Sequence, residues 1–143
     1  MYWGTRQGDF VDSAGLEVLS AEECLRLLSK VPVGRIVYTD RALPAIQPVN
    51  FVVDGWSVVI RTAPRSRLAV AATGSVVAFE VDEFTDQPDR TGWSVVAVGR
   101  AAEVPEAELP ATRRLELRPW VAEARAHYLR VVIEIISGRR LVT

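Results

Sequence analysis

The chain has 143 residues, 49% of them apolar, a formal net charge of −1, one cysteine (Cys24) and one histidine (His127). That length suits one domain, the charge balance excludes the broad positive field of a nucleic-acid binder, and one cysteine with one histidine excludes an intrachain disulfide and leaves no metal site to expect. No apolar run approaches the roughly 20 residues that cross a bilayer, and no basic-then-apolar leader opens the chain, so the expectation is a soluble cytoplasmic protein with no membrane partner.

Residues 1–15, "MYWGTRQGDFVDSAG", follow neither a helical nor a strand period and are read as an N-terminal extension to a domain at 16–143. In "LSAEECLRLLSKV", Ser20 with Glu23 three positions on forms a capping box, which predicts a helix over 21–30 that Pro32 ends. "GRIVYTD" has strand content. Asp54-Gly55 between two apolar runs predicts a hairpin joining strands 45–53 and 56–62 with those two residues as its turn. Period two then puts Trp56, Val58 and Ile60 on one face and Val59 and Arg61 on the other. Pro48 cannot donate to a ladder, so it marks an edge or a bulge and leaves the sheet open beside Gln47 and Asn50.

"SRLAVAATG" is a short helix ended by Gly74, followed by strands "SVVAFEVDEF" and "WSVVAVGRAAEV". Pro110 and Pro119 predict broken helix over 105–126, and "LRVVIEIISGRRL" reads as a strand followed by a glycine turn. About six short antiparallel strands with few helices favour a mainly β fold, a small closed barrel with peripheral helices, over a doubly wound sheet.

The chemistry-bearing stretch is "VIRTAPRSRL", where Arg61, Arg65 and Arg67 and the hydroxyls of Thr62 and Ser66 surround Pro64. The residues leave two readings open. One is a solvated turn. The other is a phosphate seat, in which a helix start offers unpaired N–H groups and arginine supplies a forked donor. Glu80 and Asp82 share a strand face, which suits either acid–base work or a salt-bridged surface with Arg100 as partner. His127 lies in "ARAHYLRVVIEI" with no nucleophile motif beside it.

The ordered set "PVNF..DG", "RT...SRL", "FEVDEF", "GWSVVAVGRA" and "RPW......VVIEIISGRRL", over about residues 18–141, resembles the pyridoxamine 5′-phosphate oxidase-like family of flavin-binding split barrels. The resemblance implies a homodimer of six-stranded antiparallel split barrels with FMN in the clefts between subunits. It implies a phosphate seat at Arg61, Thr62, Ser66 and Arg67, with Gln47, Pro48, Val49 and Asn50 along the isoalloxazine ring and Trp93 and Ser94 contributed by the second subunit. Trp120 would line the substrate side or anchor the C-terminal turn. The family often has glycine before the serine at position 66; here Pro64 and Arg65 stiffen that loop.

The implied activity is an FMN-dependent oxidoreductase acting on a small molecule that the sequence does not name. Catalytic side chains stay unassigned, because a flavin carries its own chemistry. Oxidation of pyridoxamine phosphate itself is disfavoured, since that enzyme's basic C-terminal substrate motif has no counterpart here. The alternatives are a deazaflavin-coenzyme reductase of the same superfamily, drawing on Arg41, Arg65 and Arg67, a module that binds flavin or haem without turnover, and a cofactor-free dimeric barrel.

Overall fold

The computed structural model describes Val11 and residues 15–115 and 127–141. Strand β1 (Glu17–Val18) precedes helix α1 (Ala21–Leu28); β2 (Val33–Asp40), β3 (Leu43–Val53) and β4 (Ser57–Thr62) follow, then helix α2 (Arg67–Ala72). After β5 (Val76–Thr85) and β6 (Thr91–Glu103), a 3₁₀ turn (Glu106–Glu108) and helix α3 (Leu109–Arg113) lead toward β7 (His127–Arg140).

The sheet order β7-β4-β3-β2-β5-β6, with β6 also paired to β7, closes six antiparallel strands into a barrel, and β1 adds two residues to the far edge of β7. Alternation drives the closure. Ile36, Phe51, Val58, Ile60, Phe79, Val81, Val95, Ala97, Leu129 and Val131 face inward and are buried. Each such large side chain contributes about 1.5–3 kcal/mol on leaving water. The rings of Phe51 and Phe79 meet edge to face with centroids 4.7 Å apart. Between Val98 and Gly99 the β6–β7 register shifts by a bulge, and a Cβ on Gly99 would lie 1.8 Å from the Val132 carbonyl oxygen, so only glycine lets the two backbones approach.

The caps form as their residues dictate. Ser20 Oγ accepts the Glu23 N–H at 3.2 Å and starts α1, whose buried Cys24, Leu27 and Leu28 join the main core. Only half of the expected capping box closes, because the Glu23 carboxylate turns to Arg26 and Arg140 instead. A second small core, Val59, Val104 and Tyr128, is flanked by Val52, Leu109 and Leu115.

Four expectations need correction. Helix α1 ends at Leu28, two residues early. The β3–β4 hairpin turns on Gly55-Trp56, not Asp54-Gly55: Val53 pairs with Val58, and the Asp54 N–H donates to the Ser57 carbonyl at 2.9 Å. Gly55 takes φ +60 at the first central position. Strand β7 moves the turn, since Arg130 Nη1 donates to both Asp54 Oδ2 (2.9 Å) and Ser57 Oγ (2.7 Å), and the Ile133 N–H donates to the Trp56 carbonyl (2.9 Å). The alternation survives, with Val58 and Ile60 in the main core and Val59 in the smaller one. The final strand runs through Gly138 to Arg140 without a glycine turn, because both residues stay paired to β6. The fourth concerns Glu80, whose partner is Arg35; Arg100 donates to the Gly74 carbonyl at 2.6 Å instead.

The β2–β3 turn carries no glycine signal. Arg41 and Ala42 take φ 52 and 64 because Asp40 pairs with Leu43, and a two-residue turn of that twist needs both central residues left-handed. Most of the 1–15 extension and the second half of 105–126, with Trp120, lie outside the described residues.

Candidate functional site

Strand β3 pairs with β2 from Leu43 to Asn50 but with β4 only from Phe51 to Val53. Strand β4 continues along β7 instead, Arg61 opposite Tyr128 and Thr62 opposite His127. The two strands therefore part after the Phe51–Ile60 pair, and the edge of β3 from Pro44 to Asn50 carries no second partner strand among the described residues. Pro44 and Pro48 suit that edge, since neither has an N–H to leave unsatisfied.

Along the open edge Gln47 pairs with Ile36, Pro48 with Arg35, Val49 with Gly34 and Asn50 with Val33. Val49 faces the core and is buried, so it offers an outside group only its backbone. Asn50 Nδ2 donates to the Pro32 carbonyl at 3.3 Å, while its Oδ1 is buried and accepts nothing. A buried amide oxygen without a donor costs about 1–3 kcal/mol, which an N–H of a bound group would offset.

Where β4 ends, Thr62 Oγ1 and Ser66 Oγ stand 2.8 Å apart, and Ser66 Oγ accepts the Ala69 N–H at 3.0 Å to cap α2. That helix has six residues, so its contribution to an anion is its first-turn N–H groups and not a developed dipole. Arg67 reaches back to the end of β2: its Nε donates to Asp40 Oδ2 and its Nη2 to Asp40 Oδ1, both at 3.0 Å. Arg65 is exposed. Arg61 is half-buried on the face of β4 opposite Thr62, alongside Val59 and across from Tyr128. The four seat residues thus divide: Thr62 and Ser66 touch, Arg67 adjoins them through Ser66, and Arg61 shares the second core's face.

Trp93 and Ser94 lie elsewhere. On β6, Trp93 pairs with Glu83 and Arg140, and Ser94 with Asp82 and Arg139. Strands β5 and β2 separate them from β3, and β7 from β4. A groove of about 290 Å³ opens beside Trp93, Glu83 and Arg140. Arg140 Nη2 donates to the buried Glu23 at 2.7 Å, and Arg26 bonds the same carboxylate. Together they hold Glu23 down to about 2, the hydrogen bond from Arg26 contributing most, against the opposing effect of burial.

On the outer face, Arg35 Nη1 lies 3.0 Å from Glu80 and 3.4 Å from Asp82. Burial, then the neighbouring Asp82, pushes Glu80 up to about 7 despite that arginine. His127 Nδ1 sits 3.5 Å from Glu103, and its Nε2 is buried without a hydrogen bond. Among the described residues no group of three or more His, Cys, Asp or Glu is placed to hold a metal, and no helix is long and apolar enough to cross a membrane. The sequence reading missed Asp40, and nothing local marks it, because 27 residues separate it from Arg67.

Residues 20–140 match the family model described as pyridoxamine 5′-phosphate oxidase. An uncharacterised protein of Mycobacterium tuberculosis is 39% identical over 144 residues, spanning 97% of this chain and 94% of its own length. Among solved structures, the FAD binding protein from Mycobacterium smegmatis is 42% identical with a TM-score of 0.78, covering 88% of this chain and 98% of that one. A conserved protein of unknown function from Corynebacterium diphtheriae is 33% identical with a TM-score of 0.74, covering 89% and 98%.

Proposed function

The chain belongs to the pyridoxamine 5′-phosphate oxidase family, and on that footing we propose that it is a cytoplasmic flavin-binding oxidoreductase acting on a small organic molecule. A bound flavin supplies the hydride or electron transfer; the protein's share is binding, orientation and shielding from water. The observation that carries this reading is the Thr62–Ser66 hydroxyl pair, with Arg67 beside it, at the point where β3 and β4 separate. The donor set fits a flavin nucleotide. Hydroxyls and a guanidinium suit its phosphate, and the unmatched Asn50 Oδ1 beside the proline-bearing edge of β3 suits an N–H on the ring's polar edge.

FMN is the smallest ligand that uses all of these groups. FAD is the second reading, favoured by the 42%-identical FAD binding protein.

The same proposal includes a homodimer. One transverse row on the outside of the barrel is apolar across five strands: Ile46 pairs with Val37, Val37 with Ala78, Ala78 with Val98, and Val98 with Ile135. Ile46 and Ile135 are 65% and 44% exposed, more than a lone barrel gains by leaving in water. The same reading assigns Ser94, and Trp93 from its buried place in the main core, to the neighbouring copy's site, since within one chain β5 and β2 separate them from β3.

The test is to purify the protein, release and identify any chromophore, and titrate the apoprotein with FMN, FAD and a deazaflavin coenzyme. Tight binding of FMN or FAD, with reduction by a nicotinamide donor and reoxidation by a small acceptor, supports the proposal. Binding without turnover would make it a flavin carrier, deazaflavin binding alone would move it to that coenzyme's branch, and no binding would refute it.

A further inference from the structure

We infer that Asp40 sets which phosphate the seat prefers, disfavouring the end phosphate of FMN relative to the bridging diphosphate of FAD. The inference rests on the flavin reading above. Asp40 ends β2 and closes a two-pronged ion pair on Arg67, with Nε and Nη2 each 3.0 Å from a carboxylate oxygen. Of the five guanidinium N–H groups, two are engaged and three remain for an anion. The Asp40 side chain is only 24% exposed. It flanks the Arg41-Ala42 turn, whose two left-handed residues pin the end of β2 beside α2. A ligand phosphate therefore meets an arginine whose charge a fixed carboxylate already offsets.

Two consequences follow from charge alone. The carboxylate repels a bound anion in proportion to that anion's charge. A phosphomonoester such as FMN's gathers about −1.5 to −2 on one phosphorus at neutral pH, whereas a diphosphate diester divides its two charges between two phosphates, so less charge is concentrated beside Asp40. Asp40 thus costs FMN more than FAD, and costs riboflavin, which has no phosphate, nothing. Arg41 and Arg65 are exposed, so solvent screens their compensation.

The experiment measures dissociation constants of FMN, FAD and riboflavin for the wild type, Asp40→Asn, Arg67→Gln and the double variant, with Asp40→Ser as a second substitution at the turn. For Asp40→Asn, FMN should bind about three- to fivefold tighter, as expected for releasing a partly exposed pair. FAD should gain about twofold or less, and riboflavin should not change. On the Arg67→Gln background the gain should persist, because the carboxylate's repulsion of the anion does not pass through that arginine. An equal shift for all three ligands, weaker FMN binding, or a gain that vanishes without Arg67 overturns the inference and leaves the flavin reading intact. Failure of the wild type to bind any of the three overturns both.

Discussion

Thr62 Oγ1 and Ser66 Oγ stand 2.8 Å apart, the first on the last residue of β4 and the second on the residue that caps α2. Ser66 therefore serves the fold and the proposed seat with one oxygen. Ser66→Ala is expected to lose about 1 kcal/mol of stability through the missing cap and to weaken FMN more than riboflavin. Ser66→Asp separates the two roles. It keeps an acceptor for the Ala69 N–H, so stability in urea should stay close to wild type, while its charge should remove the preference for FMN. Unchanged FMN binding by Ser66→Asp would place the phosphate elsewhere.

Gly138 lies under α1, where an added Cβ would stand 2.7 Å from Cys24 Sγ, 3.0 Å from the Ser94 carbonyl and 3.2 Å from Leu19. Gly138→Ala should cost about 1–3 kcal/mol by overpacking. Pairing it with Cys24→Ala should recover part of that loss, since the sulfur is the nearest obstacle and the Ser94 backbone remains. Chemical denaturation of the two single variants and the double variant measures the coupling, and strict additivity would mean the clash is relieved some other way.

The two shifted carboxylates make opposite contributions to the pH dependence of stability. Glu80 is raised from 4.5 to about 7, chiefly by burial, so its contribution is fully present below pH 4.5 and is lost as pH rises toward 7. Glu80→Gln should therefore gain stability relative to wild type at pH 8 and show no such gain near pH 4. Glu23 is lowered from 4.5 to about 2, chiefly by Arg26, so its contribution is present above pH 4.5 and lost as pH falls toward 2. Glu23→Gln should be less stable than wild type at pH 7, with the gap closing in acid. Denaturant midpoints across pH 3–8 read both trends.

If the outer apolar row is the dimer contact, Ile135→Glu should yield a monomer by light scattering, since an unpaired charge at a buried contact is costly. Flavin affinity should fall together with the dimer, because the proposed site is shared between the two copies. A dimer that tolerates Ile135→Glu would put the interface on another face.

Local needs were legible in the chain. Ser20 and Ser66 announce their helices because a cap needs only its own hydroxyl and an N–H three residues on. The strand alternation that fills the barrel repeats within each segment, and Pro48 marks the open edge of β3 because a missing N–H excludes a second partner wherever it sits. The hairpin turn was not settled locally: "DG" points to Asp54-Gly55, yet Arg130 and the Ile133 N–H of β7 fix Gly55-Trp56. The ion-pair partners likewise waited on the tertiary structure. Asp40 meets Arg67 and Arg35 meets Glu80 because closure sets the register of β2 against its neighbours. That register follows from burying the inward face of six strands at once, a sum over the whole barrel that no short stretch contains.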